Sequence, residues 1–225
     1  MSHRIGNVLI FLAVLYASIA FAFFPRWTVD DAYIIFRYAE NFSSHGELTW
    51  NVGVGPVEGY TGVVLPVLLA AGDSLGISPF VLSDCVGIAS FFAGFLFLFL
   101  LFRLFRIDRV VTGAVLLLYA TLPVFVTHAT SGLETMLFVG SVSASLFFFA
   151  RFLLAPVVSW KKFIALPLSL LIVSLARPEG VALAGIFFLG GGLFCYRYHR
   201  DQLAKYLGVF FAACIVPAVA YCIWR

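Results

Sequence analysis

FVLSDCVGIASFFAGFLFLFLLF, residues 80–102, is the stretch that decides the fold. As an α-helix its 23 residues reach about 35 Å at ~1.5 Å per residue, enough to cross a hydrocarbon core of about 30 Å. It shows no alternation of apolar and polar residues, which excludes a strand of a membrane barrel. Comparable runs fill residues 7–24, 110–128, 135–154, 163–176, 180–195 and 204–224. The sequence therefore predicts an all-α polytopic membrane protein with about seven spanning helices. Composition agrees: of 225 residues, 63% are hydrophobic and 11% charged, and the mean hydropathy is +1.06. A soluble domain has nowhere to bury so much apolar surface.

Residues 1–225 form one transmembrane unit: a first helix at 7–24, an external loop at 25–79 with short interfacial helices, and six further helices within 80–224. Residues 61–76 are apolar but short and hold Pro66 and Asp73, so they are expected to lie at the interface. Arg4 and the apolar run after it resemble a secretory leader, but the many later runs favour an uncleaved helix. The basic residues orient the chain. With the N-terminus in the cytoplasm, ten of the fourteen Lys and Arg residues fall on the cytoplasmic side. Nine of the eleven acids fall on the opposite side. Trp27, Trp160 and Trp224 lie at predicted helix ends and Trp50 in the external loop, as suits indoles at headgroup level. Cys85, Cys195, Cys214 and Cys222 show no metal-ligand or disulfide-framework spacing.

Four polar segments stand out, each with a bland local explanation. In VDDAYIIFRYAEN, residues 29–41, Asp30 suits a helix cap, Asp31 its first turn, and Arg37 a pair with Glu40. In GVGPVEGYTG, residues 53–62, Glu58 and Tyr60 sit in a turn-rich loop whose spacing is not that of a dinucleotide fingerprint. In TSGLET, residues 130–135, Ser131 and Glu134 have the capping-box spacing. In ARPEG, residues 176–180, Pro178 and Glu179 suit the start of a helix. Local rules do not explain why all four belong to the same side of the membrane. A pair of carboxylates in a partly desolvated outer cleft suits a general base or a metal ligand, with Asp30 and Asp31 the candidates. His128 is read as an interfacial residue outside the site.

The combination DDA, an aromatic, Ile, then RYAEN, WNVG, VEGYT, SGLET and RPEG resembles polytopic glycosyltransferases of the GT-C superfamily. It is most similar to the branch of mycobacterial arabinofuranosyltransferases. The resemblance spans residues 30–180. It departs after Thr61, where Gly62-Val63-Val64 stands in place of the Ser-Pro and tryptophan usual in that branch. It implies a polyprenyl-phosphate sugar as donor and a hydroxyl of a glycan, lipid or protein as acceptor. The sugar would move by inverting single displacement on the extracytoplasmic face of a bacterial inner membrane. Asp30 or Asp31 would be the catalytic base, while Arg37, Glu58, Tyr60, Glu134, Arg177 and Glu179 would bind substrate. A divalent metal is left open by the family, and would fall to Asp30 and Asp31; no nucleic-acid partner is expected. The family is longer, so this chain is expected to be the N-terminal part of a larger fold. An acidic outer vestibule would equally serve a transporter or channel subunit. Such proteins place polar groups near the midplane, whereas these spans are nearly free of charge. A purely structural subunit is the third reading, and requires no role for the aspartates.

Overall fold

The computed structural model describes residues 2–23, 26–55, 57, 59–154 and 163–224. Every regular element among them is helical. The first helix, α1 (Ser2–Phe23), is followed by two short helices, α2 (Asp30–His45) and α3 (Val64–Asp73). The long α4 (Pro79–Leu104) comes next, then α5 (Arg109–Thr121), α6 (Pro123–Ala129) and α7 (Thr135–Leu153). The chain ends in α8 (Ala165–Ala176), α9 (Glu179–Tyr198) and α10 (Arg200–Trp224), the last with a π-helical turn at Phe211–Ile215.

Five helices, α1, α4, α7, α9 and α10, are long and apolar enough to cross a membrane; the bent pair α5 and α6 makes a sixth if it forms one span. Large apolar side chains stand exposed on them, among them Phe11, Ile186, Leu189 and Leu193. The solvent for such surfaces is lipid, and the protein is membrane-embedded. The count differs from the seven expected because two apolar runs did not become long straight helices. Within residues 110–128 Pro123 forces Leu122 into an extended conformation (ψ 115°), and the helix turns by 56° there. Residues 163–176 yield only the 12 helical residues of α8, about 18 Å at ~1.5 Å per residue.

Contacts between helices fix the path of the chain. Glycines Gly6 and Gly113 bring α1 and α5 together in parallel, with Arg109 Nη1 donating to Asn7 Oδ1 at 2.8 Å. Ala13, Ala17 and Ala20 line the buried stripe of α1, small residues that let helices approach closely in lipid. Phe91 of α4 meets Phe21 near the end of α1, so α4 runs back alongside it. Gly140 of α7 abuts the Ser90 carbonyl and Phe147 meets Phe97, so α4 and α7 are parallel. Phe163, just before α8, packs tilted against Phe152 at one end of α7, and Arg177, just after α8, lies over Phe138 near the other. The short α8 thus returns antiparallel to α7 along most of its length. A Ser145–Ser169 hydroxyl pair at 2.9 Å ties the two together midway. Finally α9 runs parallel to α7, and α10 returns so that Tyr221 reaches Tyr60.

One end of the bundle, the α2 end, therefore gathers the last turn of α1, the whole of α2 and α3, the starts of α4, α7 and α9, and the last turns of α8 and α10. The opposite end carries Arg103, Arg106, Arg109, Arg151, Arg197 and Arg200, at or between the other helix termini. Residues 61–76 form no helix of spanning length: α3 is 10 residues long and packs through Leu65, Leu69 and Ala70 onto Ala32, Ile35, Phe36 and Ala39 of α2. A left-handed Gly46 (φ 72°) ends α2, its N–H donating to Phe42 O at 3.0 Å. Ser43 Oγ donates to the Asp73 carboxylate, joining the far ends of α2 and α3.

Candidate functional site

The four polar segments meet at the α2 end, and backbone contacts bring them there. Val29 N donates to Ser131 O at 3.1 Å, so the start of α2 is hydrogen-bonded to the loop before α7. Gly132 (φ 80°) lies against Ala32, Phe36 and Thr28 in a left-handed conformation, where an added Cβ would strike Ala32. On the other side of that loop, Val63 N donates to Leu175 O at 2.9 Å. Gly62 rests on the Ala176 carbonyl with no room for a side chain. The segment after Tyr60 is in this way clamped over the end of α8, immediately before Arg177.

The carboxylates are arranged differently from the local expectations. Val29, not Asp30, is the N-cap of α2 and makes no side-chain cap; Asp30 and Asp31 are its first two helical residues. Both are exposed, and Asp30 Oδ1 accepts from Asp31 N at 3.1 Å. Their negative charge sits at the positive end of the helix dipole while their outer oxygens stay accessible. Glu134 is likewise not part of a capping box. Ser131 Oγ accepts from Leu133 N at 3.3 Å and donates to His128 O at 3.1 Å. The Glu134 side chain, only 4% exposed, instead accepts a 2.7 Å hydrogen bond from Thr61 Oγ1. A buried carboxylate held by a residue 73 positions away joins the second polar segment to the third.

Arg177 stands extended (φ −152°, ψ 149°) between α8 and α9, with Pro178 as the N-cap of α9 and Glu179 its first residue. Its Nε is 3.6 Å from Glu179 Oε2, too far for a hydrogen bond. That buried Nε has no hydrogen-bond partner, and the guanidinium lies 6.0 Å from the Phe138 ring. The arginine is thus fixed in place by packing, with donors still free for an anion. Tyr60 packs edge-on to Tyr38 at 4.9 Å and shares a 3.3 Å contact with the Tyr221 hydroxyl. Tyr38 OH donates to the Val57 carbonyl and braces the same loop from below. Glu58 lies outside the described residues.

Arg37 is the one candidate drawn away from this set. It pairs with no carboxylate among the described residues, Glu40 included; its Nε donates to Trp50 O at 2.9 Å and its guanidinium lies 5.0 Å from the Trp50 ring. Asn41 Nδ2 joins it, donating to Thr49 O at 2.8 Å and Trp50 O at 3.0 Å, so both side chains hold the external loop against α2. No group of three or more His, Cys, Asp or Glu side chains comes together to hold a metal among the described residues. Asp30 and Asp31 are adjacent but have no third ligand there.

Two further polar residues at this end lie outside the set of candidates named from sequence. Asp84, in the second turn of α4, is 2% exposed and 3.2 Å from Arg26 Nη1. Its signal was an acid inside the very run that defines the span, which in a membrane protein marks a partner or a function. His128, read from sequence as an interfacial residue outside the site, has a buried Nδ1 with no hydrogen-bond partner. Compared with known proteins, the chain matches no family model, no curated protein and no solved structure.

Proposed function

We propose that the protein is a GT-C-type membrane glycosyltransferase that moves a sugar from a polyprenyl-phosphate donor to an acceptor hydroxyl on the extracytoplasmic face. The observation that carries this reading is the meeting of exposed Asp30 and Asp31, buried Glu134 and the incompletely paired Arg177 around one loop, residues 59–63, at one end of the bundle. Each had a sufficient local role in sequence, but no side chain caps α2, where Val29 is the N-cap, or α7, where Glu134 is. The segregation of Arg103, Arg106, Arg109, Arg151, Arg197 and Arg200 at the opposite end supports an orientation with that end in the cytoplasm. The antiparallel return of α8 supports counting it as a crossing, which gives seven.

In this reading Asp30 or Asp31 takes the proton of the acceptor hydroxyl as its oxygen attacks the anomeric carbon. The bond from that carbon to the phosphate oxygen breaks, and the phosphate leaves with the electron pair, through a transition state with oxocarbenium character. The free donors of Arg177 stabilise the charge growing on the phosphate. Glu134, oriented by Thr61, and Tyr60 shape the sugar pocket, with Glu179 setting the position of Arg177. Arg37 contributes by holding the loop that carries Trp50.

The test replaces Asp30 and Asp31 singly by Asn in the native host, with membrane levels of each variant verified. Mass spectrometry of polyprenyl-phosphate lipids then reads the result. Accumulation of one polyprenyl-phosphate sugar in either variant is expected and names the donor. Unchanged lipids and envelope glycans, with both proteins present, would defeat the transferase reading and favour a transport or structural role.

A further inference from the structure

Beside the residues just described, the end of α1 and the short α6 enclose a cavity of about 420 Å³, within the range of about 300–1,000 Å³ usual for small-molecule clefts. Its walls are apolar, formed chiefly by Tyr16 and Phe21 of α1 and Pro123 and Val126 of α6, and Arg26 and Trp27 stand at its rim. The cavity exists because α6 turns away from the line of α5 at Leu122. Trp27 and the Arg26 side chain are both more than half exposed. An indole beside a guanidinium is a pairing suited to the level of lipid headgroups.

Arg26 is held from one side only. Its Nη1 lies 3.2 Å from Oδ2 of Asp84, whose side chain is 2% exposed and so lies beneath it. Neither Asp84 oxygen has a properly aligned hydrogen-bond donor. Arg26 makes no other ion pair among the described residues, which leaves its outward N–H groups unused. The described lining residues include that one cation and no acid. An apolar slot opening beneath a fixed, half-exposed guanidinium is complementary to a chain with an anionic head, and offers nothing to a cationic headgroup.

We infer that this cleft holds one anionic phospholipid, an acyl chain lodged between α1 and α6 and the headgroup phosphate on Arg26. The lipid fills the gap left by the bend at Leu122 and steadies α6, which leads directly to Thr130 and Ser131. The inference does not depend on the transferase reading.

Trp27 is a built-in reporter. The full chain, with Trp50, Trp160 and Trp224 replaced by Phe, is placed in bilayer discs of phosphatidylcholine containing increasing fractions of a dibrominated lipid, which quenches tryptophan on contact. Dibrominated phosphatidylglycerol should half-quench Trp27 at about fivefold lower mole fraction than dibrominated phosphatidylcholine, the ratio one arginine supplies at an anionic headgroup. Arg26→Gln should erase that ratio and Arg26→Lys retain most of it. Should Arg26→Gln fail to fold, Val126→Phe narrows the slot with Arg26 intact and should weaken quenching by both lipids. Equal half-quenching by the two lipids in the parent protein overturns the inference, as does a ratio unaffected by Arg26→Gln or quenching unaffected by Val126→Phe. Displacement of the brominated phosphatidylglycerol by an equimolar polyprenyl phosphate would also overturn it, by giving the cleft to a different lipid.

Discussion

A buried carboxylate is tolerated only when something donates to it, and at Glu134 the donor is the Thr61 hydroxyl rather than the first turn of α7. Thr61→Val keeps the shape and removes the donor, so it should destabilise the protein by about 1–3 kcal/mol. Thr61→Ser should restore most of that, with denaturation of the purified protein in detergent as the readout. A Thr61→Val protein as stable as the parent would mean that the carboxylate finds water instead. The same geometry makes a second, sharper claim. Because Ser131 and Glu134 serve different partners, Ser131→Ala and Glu134→Gln should be additive within about 0.5 kcal/mol in a double-mutant cycle. A larger coupling would restore the capping box that their spacing suggests. Sequence made Glu134 visible and misassigned its local work, since a bond across 73 positions leaves no trace in a window of four. Asp84 was visible in the same way, as a charge in an apolar run, while the Arg26 that accompanies it lies 58 positions earlier by residue number.

At the scale of elements, the site depends on how the loop at 59–63 is seated. Gly62 has the Ala176 carbonyl where a side chain would begin, and backbone yields far less readily than a side-chain tip. Gly62→Ala should therefore unseat the Val63 to Leu175 hydrogen bond, move Thr61 from Glu134, and abolish the proposed sugar transfer in membranes that still contain the protein. Gly208→Ala, in a helix with nothing near the new methyl group, is the control, and should be neutral or stabilise by up to about 1 kcal/mol. If both variants transfer sugar normally, the loop is not seated as described. Most elements were legible: the runs that became α1, α4, α7, α9 and α10 announced themselves by length, and α2 and α3 by being too polar or too short to cross. Two features were not. Pro123 could be seen inside a run, but the 56° turn at Leu122 depends on what α6 packs against. Residues 163–176 carry the composition of a span and yield a helix of 12 residues, because composition does not say where a helix begins.

For the whole molecule, the strongest organising fact is the separation of charge between its ends: arginine clusters between helices at one, the acids of α2, Glu134 before α7 and Glu179 of α9 at the other. Such a separation has a testable consequence for topology, and cysteine labelling of intact cells reads it directly. Of the native cysteines, Cys195 and Cys214 are buried, so only the exposed Cys85 and Cys222 need replacement by Ser. Single cysteines are then introduced at exposed positions: Ser44 on α2, Ile107 between α4 and α5, Leu154 after α7 and Glu179 at the start of α9. Ser44→Cys and Glu179→Cys should react with a membrane-impermeant maleimide from outside, and Ile107→Cys and Leu154→Cys only after permeabilisation. The decisive pair is Leu154 and Glu179, because only α8 separates them. Phe163 lies level with Phe152 and Arg177 level with Phe138, so the proposed crossing by α8 predicts opposite labelling, even though α8 alone is shorter than a bilayer is thick. Labelling of both from one side would make α8 a re-entrant helix and leave six crossings at most. A full reversal, with Ile107 and Leu154 reacting from outside, would keep the fold and turn the candidate site toward the cytoplasm, against the basic bias that sets orientation. That outcome would remove the extracytoplasmic donor from the proposal while leaving the meeting of Asp30, Asp31, Glu134 and Arg177 to be explained by another chemistry.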